Sequence, residues 1–419
     1  MLNRTIAPPF NRTTRFDLIR PDTVTLGNGI PVHYISGGQQ NVLKIELVFK
    51  AGRWFEPHWG AAYFAANLLP KGTKNNSSFE IAQVFDRYGA HVEISPGLDV
   101  VSVALYSLTH KLQPVLALLI ELLQESVFPA KELDQMKAIY LQNLKVNQEK
   151  TSFQVSKLLR RTLFGEDHPY GKELEAEEIT ALQREHIADY YKNFFGDLFI
   201  LVSGKIENDV RSLINNTFSG LATRPVADQS HTHAADKPFR QLVDKEDSVQ
   251  SSLRMGRPFI GRTHPDYFDA LFLNHVLGGY FGSRLMKNIR EDKGLTYGIY
   301  SSIHTLRNDN YLVIGADVNK DNLELAFEEI RKELLRLRVE PIDTEELETA
   351  RNHFIGSLQS EIVTPFAHAD KVKNMILFNL PDDYYQNLIQ RLDTLHRDDL
   401  VRIAETYFAE DSFFETAVG

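Results

Sequence analysis

The sequence predicts an α+β fold: two homologous tandem domains, each a mostly antiparallel sheet packed with helices, which together enclose a cleft. Three observations support this. The chain of 419 residues is too long for one ordinary core, its 43% hydrophobic and 24% charged residues are typical of a globular protein, and its second half repeats the element order of its first.

In the first half, VLKIELVFKAG predicts a strand, and the segment from Trp59 to Leu69 predicts a helix. A second helix, SFEIAQVFDRYG, is expected to end at Gly89 in the left-handed conformation that glycine favours. Two strands of alternating polarity follow, AHVEISP and DVVSVALYSL, and then a long helix from Lys111 to Glu125. This is one sheet with several helices.

The second half repeats this order at an offset of roughly 210 residues. VQSSLRMGRPFI is the strand, the first helix runs from Tyr267 to Leu277, and SRLMKNIREDKG is a second helix closed by Gly294. LTYGIYSSIHTL and NYLVIGADV are the strands, and the long helix spans Asn322 to Arg338. The agreement continues beyond it, since FPAKELDQMKAIYLQNL is echoed by EPIDTEELETARNHFIGSL, which indicates a domain duplication.

The polar, aperiodic segment between the halves predicts an interdomain linker. We place the N-terminal domain at residues 1–221, the linker at 222–245 and the C-terminal domain at 246–419. The linker contains His231 and His233, but two histidines in a polar loop usually bind no metal.

The composition excludes several classes of protein. A net charge of -10 is the opposite of a nucleic-acid-binding footprint, and the lack of cysteine excludes disulfides and thiolate sites. No run of apolar residues is long enough for a membrane span, and the first residues lack the apolar core of a signal peptide. We therefore expect a cytoplasmic protein without a membrane partner, or a periplasmic one if its N-terminus has been trimmed.

The stretch GAAYFAANLLPKGT, from Gly60 to Thr73, has the frame of a metal-binding helix without the ligands. A helix places residues i and i+4 on one face, so H-x-x-E-H supplies two zinc ligands and, between them, a Glu that activates the bound water. Here the corresponding positions are Tyr63, Ala66 and Asn67.

With its tandem halves, the chain resembles the pitrilysin-type zinc metallopeptidases, the family of insulysin and the mitochondrial processing peptidase. Gly60, Gly72 and Thr73 match the family frame G-x-x-H-x-x-E-H-x-x-x-x-G-T, and VLGGYFGSRLMKNIREDKGLTYGIYSS is similar to the family's second-domain signature. The resemblance extends from about Arg15 to the C-terminus. It implies a third zinc ligand, a Glu, at the position that Asn143 occupies here.

The departures from the family pattern decide the expected mechanism. Phenol, methyl and carboxamide groups replace the imidazoles and carboxylates, and zinc prefers deprotonated, strongly donating ligands. We therefore expect no zinc in this chain and no peptide cleavage by the chain alone.

The second-domain pair of the family is retained. The resemblance implies that Arg290 and Tyr297, seven positions apart in REDKGLTY, reach across the cleft, hold the substrate backbone and help to stabilise the oxyanion. From spacing alone they would be an ordinary helix residue and an ordinary strand residue.

Two further segments have weaker interpretations. The GGYFG loop, Gly278 to Gly282, lacks the spacing of a phosphate-binding loop, and it is shorter than the glycine-rich loop of the processing peptidase's recognition subunit. The strand His91 to Ser95 corresponds to the sheet edge on which family members bind substrate as an added strand.

The chain lacks the zinc ligands of the family's active site but retains the Arg/Tyr pair. This combination resembles the family members in which two chains share one active site. The first hypothesis is therefore a non-catalytic subunit of a bacterial heterodimeric zinc peptidase, whose H-x-x-E-H-bearing partner holds the zinc and whose substrate is a peptide or unfolded protein. The alternative is a homodimeric structural or peptide-binding protein of the same fold without enzymatic activity. The remaining histidines show no ligand spacing that would indicate a relocated metal site.

Overall fold

The computed structural model describes Thr5, residues 14–232 and residues 237–419. Within these ranges the chain forms two sheets, and helices pack on both faces of each sheet. The predicted α+β fold with two domains is confirmed.

The N-terminal domain contains a six-stranded sheet. Its strands are β1 (Asp22–Thr25), β2 (Pro31–Ser36), β3 (Val42–Phe49), β4 (His91–Pro96), β5 (Val101–Leu108) and β6 (Leu198–Gly204), in the order β1-β2-β6-β3-β5-β4. Only β2 and β6 pair in parallel among these strands. The helices are α1 (Ala61–Leu68), α2 (Ser78–Tyr88), α3 (Leu112–Glu125), α4 (Ala130–Gln148), α5 (Thr151–Phe164), α6 (Ala176–Ala181), α7 (Arg184–Phe194) and α8 (Asn208–Phe218).

The C-terminal domain contains a five-stranded sheet. Its strands are β7 (Arg240–Val243), β8 (Gln250–Pro258), β9 (Thr296–Thr305), β10 (Asn310–Asn319) and β11 (Phe414–Val418), in the order β7-β11-β8-β10-β9. The helices are α9 (Tyr267–Asn274), α10 (Leu323–Val339), α11 (Thr344–Ser360), α12 (Pro365–Leu377), α13 (Tyr384–Thr394) and α14 (Arg397–Tyr407). Two wider, π-helical stretches, His275–Gly279 and Met286–Asp292, lie between α9 and β9.

The strand orders confirm the duplication seen in the sequence. Each sheet has one parallel pair, β2 with β6 and β7 with β11, and each ends in the same antiparallel run, β3-β5-β4 and β8-β10-β9. Gly89 and Gly294 close their helices with φ of +61° and +62°, as predicted for left-handed caps.

Each domain places a helix on the other domain's sheet. Helix α5 of the N-terminal half packs on β8 and β11. Gly256 in β8 allows this close approach, because a Cβ there would lie only 2.8 Å from a methyl carbon of Leu159 in α5. In return, Ala369 and Val372 of α12 pack against Ile35 and Leu201 in the first sheet.

A buried ionic cluster accompanies this second contact. The Glu46 carboxylate on β3 lies 2.9 Å from Nζ of Lys44 and 2.8 Å from Nζ of Lys373 on α12, and Lys44 also lies 3.1 Å from Asp370. Burial by itself would raise the pKa of Glu46, but the two ammonium groups outweigh it and hold that pKa below its usual value. The ion pairs of this cluster therefore link β3 of the N-terminal domain to α12 of the C-terminal domain.

Some segments lie differently from the domain boundaries drawn from the sequence. Phe16, assigned to the N-terminal domain, stacks on Tyr385 of the C-terminal one with ring centres 5.3 Å apart. Strand β7, inside the predicted linker, joins the second sheet by pairing with β11. The sequence of a short segment without hydrophobic periodicity does not indicate which of the two hydrophobic cores the segment will pack against.

The described helices include none that is both long and apolar enough to cross a lipid bilayer.

Glu46→Gln should lower the free energy of unfolding at pH 7 by about 1–3 kcal/mol, because two ammonium groups lose their buried counter-charge. The folded-state pKa of Glu46 is lowered, so its contribution is present above the unfolded-state pKa and is lost as the pH falls through the folded-state value. Denaturant titrations at several pH values should show the difference from wild type shrinking in acid. The exposed Glu405→Gln is the control, and an equal effect of both variants would contradict the prediction.

Gly256→Ala should lower the free energy of unfolding by about 1–3 kcal/mol, because the added methyl group overpacks the contact between β8 and α5. The control is Gly356→Ala in α11, where a Cβ meets open space and helix propensity predicts a gain of about 0.5–1 kcal/mol. Equal stability of the two variants would show that α5 does not pack closely on Gly256.

Candidate functional site

Helix α1 carries the three positions at which the sequence lacks the H-x-x-E-H motif. The helix begins after Gly60, which has φ of +92°, and its first N–H groups donate to the Glu56 carboxylate: Gly60 N at 3.0 Å and Ala62 N at 2.6 Å. Burial raises the pKa of Glu56 to about 7, against the opposing effects of Arg53 and these backbone donors. Glu56 thus caps the helix.

The side chains at the three positions are committed to packing or to the helix itself. Tyr63 is half-buried, and its ring meets the ring of Tyr140 on α4 edge-on at 5.1 Å. Burial raises the pKa of the Tyr63 phenol, so it stays protonated near neutral pH. Ala66 is fully buried, and Nδ2 of Asn67 donates to the carbonyl of Tyr63 at 2.9 Å.

The fourth position, Asn143, is exposed on α4, one helical turn after Tyr140. The contact between Tyr63 and Tyr140 therefore brings α4 beside α1 close to this position. Together the four side chains offer a phenol, a methyl group and two carboxamides. This donor set does not suit zinc, which needs imidazole, thiolate or carboxylate. In the part of the chain that the structure describes, no three His, Asp or Glu side chains are grouped so that they could hold a metal ion.

Arg290 and Tyr297 lie together at the end of the second π-helical stretch and the start of β9. The Arg290 Nε–H donates to the Tyr297 carbonyl at 2.8 Å, and the guanidinium carbon lies 5.7 Å from the centre of the Tyr297 ring. Tyr297 as a whole residue is 93% exposed. The pair thus offers a guanidinium and a phenolic hydroxyl, two donors that suit a developing oxyanion.

Comparison with known families identifies the protein class. Residues 32–177 match the model of the insulinase family, peptidase family M16, and residues 181–354 match the model of the peptidase M16 inactive domain. The chain belongs to peptidase family M16.

Its M16 relatives include both named peptidases and a named non-peptidase. The uncharacterized zinc protease YmxG of Bacillus subtilis is 26% identical over 84% of this chain and 86% of that protein. The non-peptidase homolog YmxG of Helicobacter pylori is 23% identical over 87% of this chain and 86% of that protein.

Solved M16 structures share the fold. A peptidase M16 inactive domain from Pseudomonas fluorescens has a TM-score of 0.88 at 22% identity, covering 95% of this chain and 98% of that chain. The periplasmic protease PqqL of Escherichia coli has a TM-score of 0.79 at 16% identity, and it matches 100% of this chain with only 49% of its own length. M16 family members commonly pair.

His231 and His275 both have structural contacts. His275 stacks on Tyr280 with ring centres 4.5 Å apart, and its Nε2 lies 3.1 Å from Nδ1 of His353. Burial, and to a lesser degree His353, lowers the pKa of His275 to about 4. Nε2 of His231 lies 3.1 Å from the Trp54 carbonyl oxygen, whereas His233 lies outside the described residues.

Two residues next to the predicted site positions were not predicted from the sequence. Glu56 caps α1, and the only signal was an acid four residues before Gly60. Phe281, in the Gly278–Gly282 loop, has its ring centre 4.7 Å from the Arg290 guanidinium carbon. The sheet-edge position of the strand at His91 to Ser95 was predicted correctly, since β4 ends the first sheet.

Tyr63→His, Asn67→His and Asn143→Glu, combined in one variant, should tighten zinc binding at least about a hundredfold over wild type, because they place strong donors at three of the four positions described above. Zinc titration with a competing chelator measures the change. Asn67→His alone, with one strong donor, is the matched control. Wild-type protein that binds zinc as tightly as the triple variant would contradict this interpretation of the site.

Proposed function

We propose that this chain is the non-catalytic subunit of a heterodimeric zinc metallopeptidase. In this proposal its Arg290 and Tyr297 bind the peptide and stabilise the oxyanion at a zinc site held by an H-x-x-E-H-bearing partner. The observation that carries the proposal is the contrast between the two sites. Arg290 and Tyr297 are in contact and Tyr297 is exposed, whereas Tyr63, Ala66, Asn67 and Asn143 on α1 and α4 do not suit zinc.

The geometry of Arg290 supports a role toward a ligand. Its Nε–H is used by the Tyr297 carbonyl, and its two terminal amino groups make no hydrogen bond or ion pair with any residue in the described ranges. Guanidinium groups present these donors in a fixed plane, which suits a carbonyl or carboxylate oxygen. Tyr297 is almost fully exposed, so a ligand can reach it.

In a pair, the zinc of the partner would supply the Lewis acid and the activated water. The residues of this chain would hold the scissile carbonyl from the opposite side and donate to its oxygen as negative charge develops there. Pairing is common among M16 proteins, and this supports the division of labour.

Arg290→Ala and Tyr297→Phe should each lower kcat of the reconstituted pair by about 10²–10³, the usual cost of removing an oxyanion donor. The assay mixes each variant with an H-x-x-E-H-bearing partner and follows cleavage of an unfolded peptide; either chain alone should be inactive. Arg397→Ala and Tyr88→Phe are matched controls. They remove a guanidinium and a phenolic hydroxyl elsewhere in the chain, the first from an exposed residue and the second from a half-buried one. Full activity of both site variants would rule out the catalytic contribution.

A second candidate is a homodimeric structural or peptide-binding protein without enzymatic activity. The Helicobacter pylori relative named a non-peptidase homolog favours it, as do the outer strands β4 and β9, which end their sheets and could accept an added peptide strand. Titration of unfolded peptides against the isolated chain separates the candidates. Tight binding without any partner favours the second, and binding only in the mixed pair favours the first.

A further inference from the structure

An exposed aromatic ring covers the guanidinium of Arg290. Phe281 is 62% exposed, although full burial of such a ring usually stabilises a fold. Its ring centre lies 4.7 Å from the Arg290 guanidinium carbon, closer than the 5.7 Å that separates this carbon from the Tyr297 ring. The guanidinium is therefore in cation–π contact with two aromatic rings.

The loop that carries Phe281 packs against β9 and against His275. A Cβ on Gly278 would lie 2.6 Å from the backbone nitrogen of Ser301, so this glycine lets the loop pack directly on β9. The next ring in the loop, Tyr280, stacks on His275 at 4.5 Å, and Ser283 N donates to the Tyr280 carbonyl at 3.1 Å. Phe281 thus extends outward from a short turn with fixed ends.

These contacts restrict Arg290 in two complementary ways. The hydrogen bond from Nε to the Tyr297 carbonyl fixes one edge of the guanidinium, and the ring of Phe281 limits rotation of its plane about that bond. The two terminal amino groups, which donate to no described residue, then lie in a plane of restricted orientation. An unrestrained arginine would lose much more side-chain freedom on meeting a ligand.

We infer that Phe281 is a positioning residue, which fixes the plane of the Arg290 guanidinium so that its terminal amino groups meet a peptide carbonyl oxygen in a preset orientation. This inference rests on the proposed function for its catalytic consequence. The contact between Phe281 and Arg290 can be tested without it.

The experiment compares Phe281→Ala, Phe281→Leu and Phe281→Tyr in the full chain mixed with an H-x-x-E-H-bearing partner. Loss of the ring should lower kcat about threefold to tenfold with little change in KM, because the contact acts on orientation. Phe281→Leu keeps an apolar side chain without a ring and should behave like Phe281→Ala. Phe281→Tyr keeps the ring and should restore the wild-type rate.

A double-mutant cycle separates positioning from a general structural effect. In the Arg290→Ala background, Phe281→Ala should have no further effect on kcat. Equal effects of Phe281→Ala in both backgrounds, or full activity of Phe281→Leu, would overturn the inference. A change confined to the affinity of the two chains for each other would also overturn it, since Phe281 would then be a docking residue.

A second readout uses the isolated full chain with ¹⁵N-labelled arginine. Phe281→Ala should speed solvent exchange of the Arg290 Nε–H and shift its proton resonance downfield, and Phe281→Tyr should not. An unchanged resonance would overturn the inference whatever the activity of the pair. If instead the resonance responds to Phe281→Ala but Arg290→Ala leaves the activity of the pair intact, the proposed function fails and the contact stands.

Discussion

A zinc ion needs strong donors at fixed positions, and the surface between α1 and α4 lacks them. Tyr63 is protonated and packed on Tyr140, Ala66 is buried, and the Asn67 amide donates back to its own helix. The helix itself is well formed, because Glu56 caps its first N–H groups. The helix is therefore well formed, but the side chains at these positions do not suit zinc.

The second site shows the opposite pattern. Arg290, Tyr297 and Phe281 form a compact group, and no described residue pairs with the terminal amino groups of Arg290. Side chains so arranged on a surface are typical of one half of a shared site or of an interaction hot spot. Both interpretations require a second polypeptide or a peptide ligand.

Much of the fold could be predicted from the sequence, because periodicity and glycine caps are local signals. The strand and helix order of both halves, the caps at Gly89 and Gly294, and the family resemblance all followed from such patterns. The exchange of α5 and α12 between domains could not be predicted. Leu159 and Leu163 mark a buried face on α5, but an amphipathic pattern does not say which sheet will cover that face. The packing of Phe16 on Tyr385 could not be predicted for the same reason.

The candidate sites were predictable only as residue types. The missing ligands at Tyr63, Ala66, Asn67 and Asn143 were visible in the motif, but the Tyr63–Tyr140 packing and the hydrogen bond of Asn67 depend on the neighbouring helix and on rotamers. The spacing of Arg290 and Tyr297 gave no hint of the bond from Nε to the carbonyl or of the ring of Phe281 above it.

The proposal that this chain and a partner chain share one active site is tested most directly by the distance between Tyr297 and the metal of the partner chain. Tyrosines of this chain can be labelled with 3-fluorotyrosine and its ¹⁹F spectrum recorded beside a partner whose zinc is replaced by a paramagnetic ion. The proposal predicts that the Tyr297 signal, identified by its loss in Tyr297→Phe, broadens strongly with the paramagnetic ion and sharpens again with zinc. A Tyr297 signal that stays sharp in a pair that forms and cleaves peptide would contradict it.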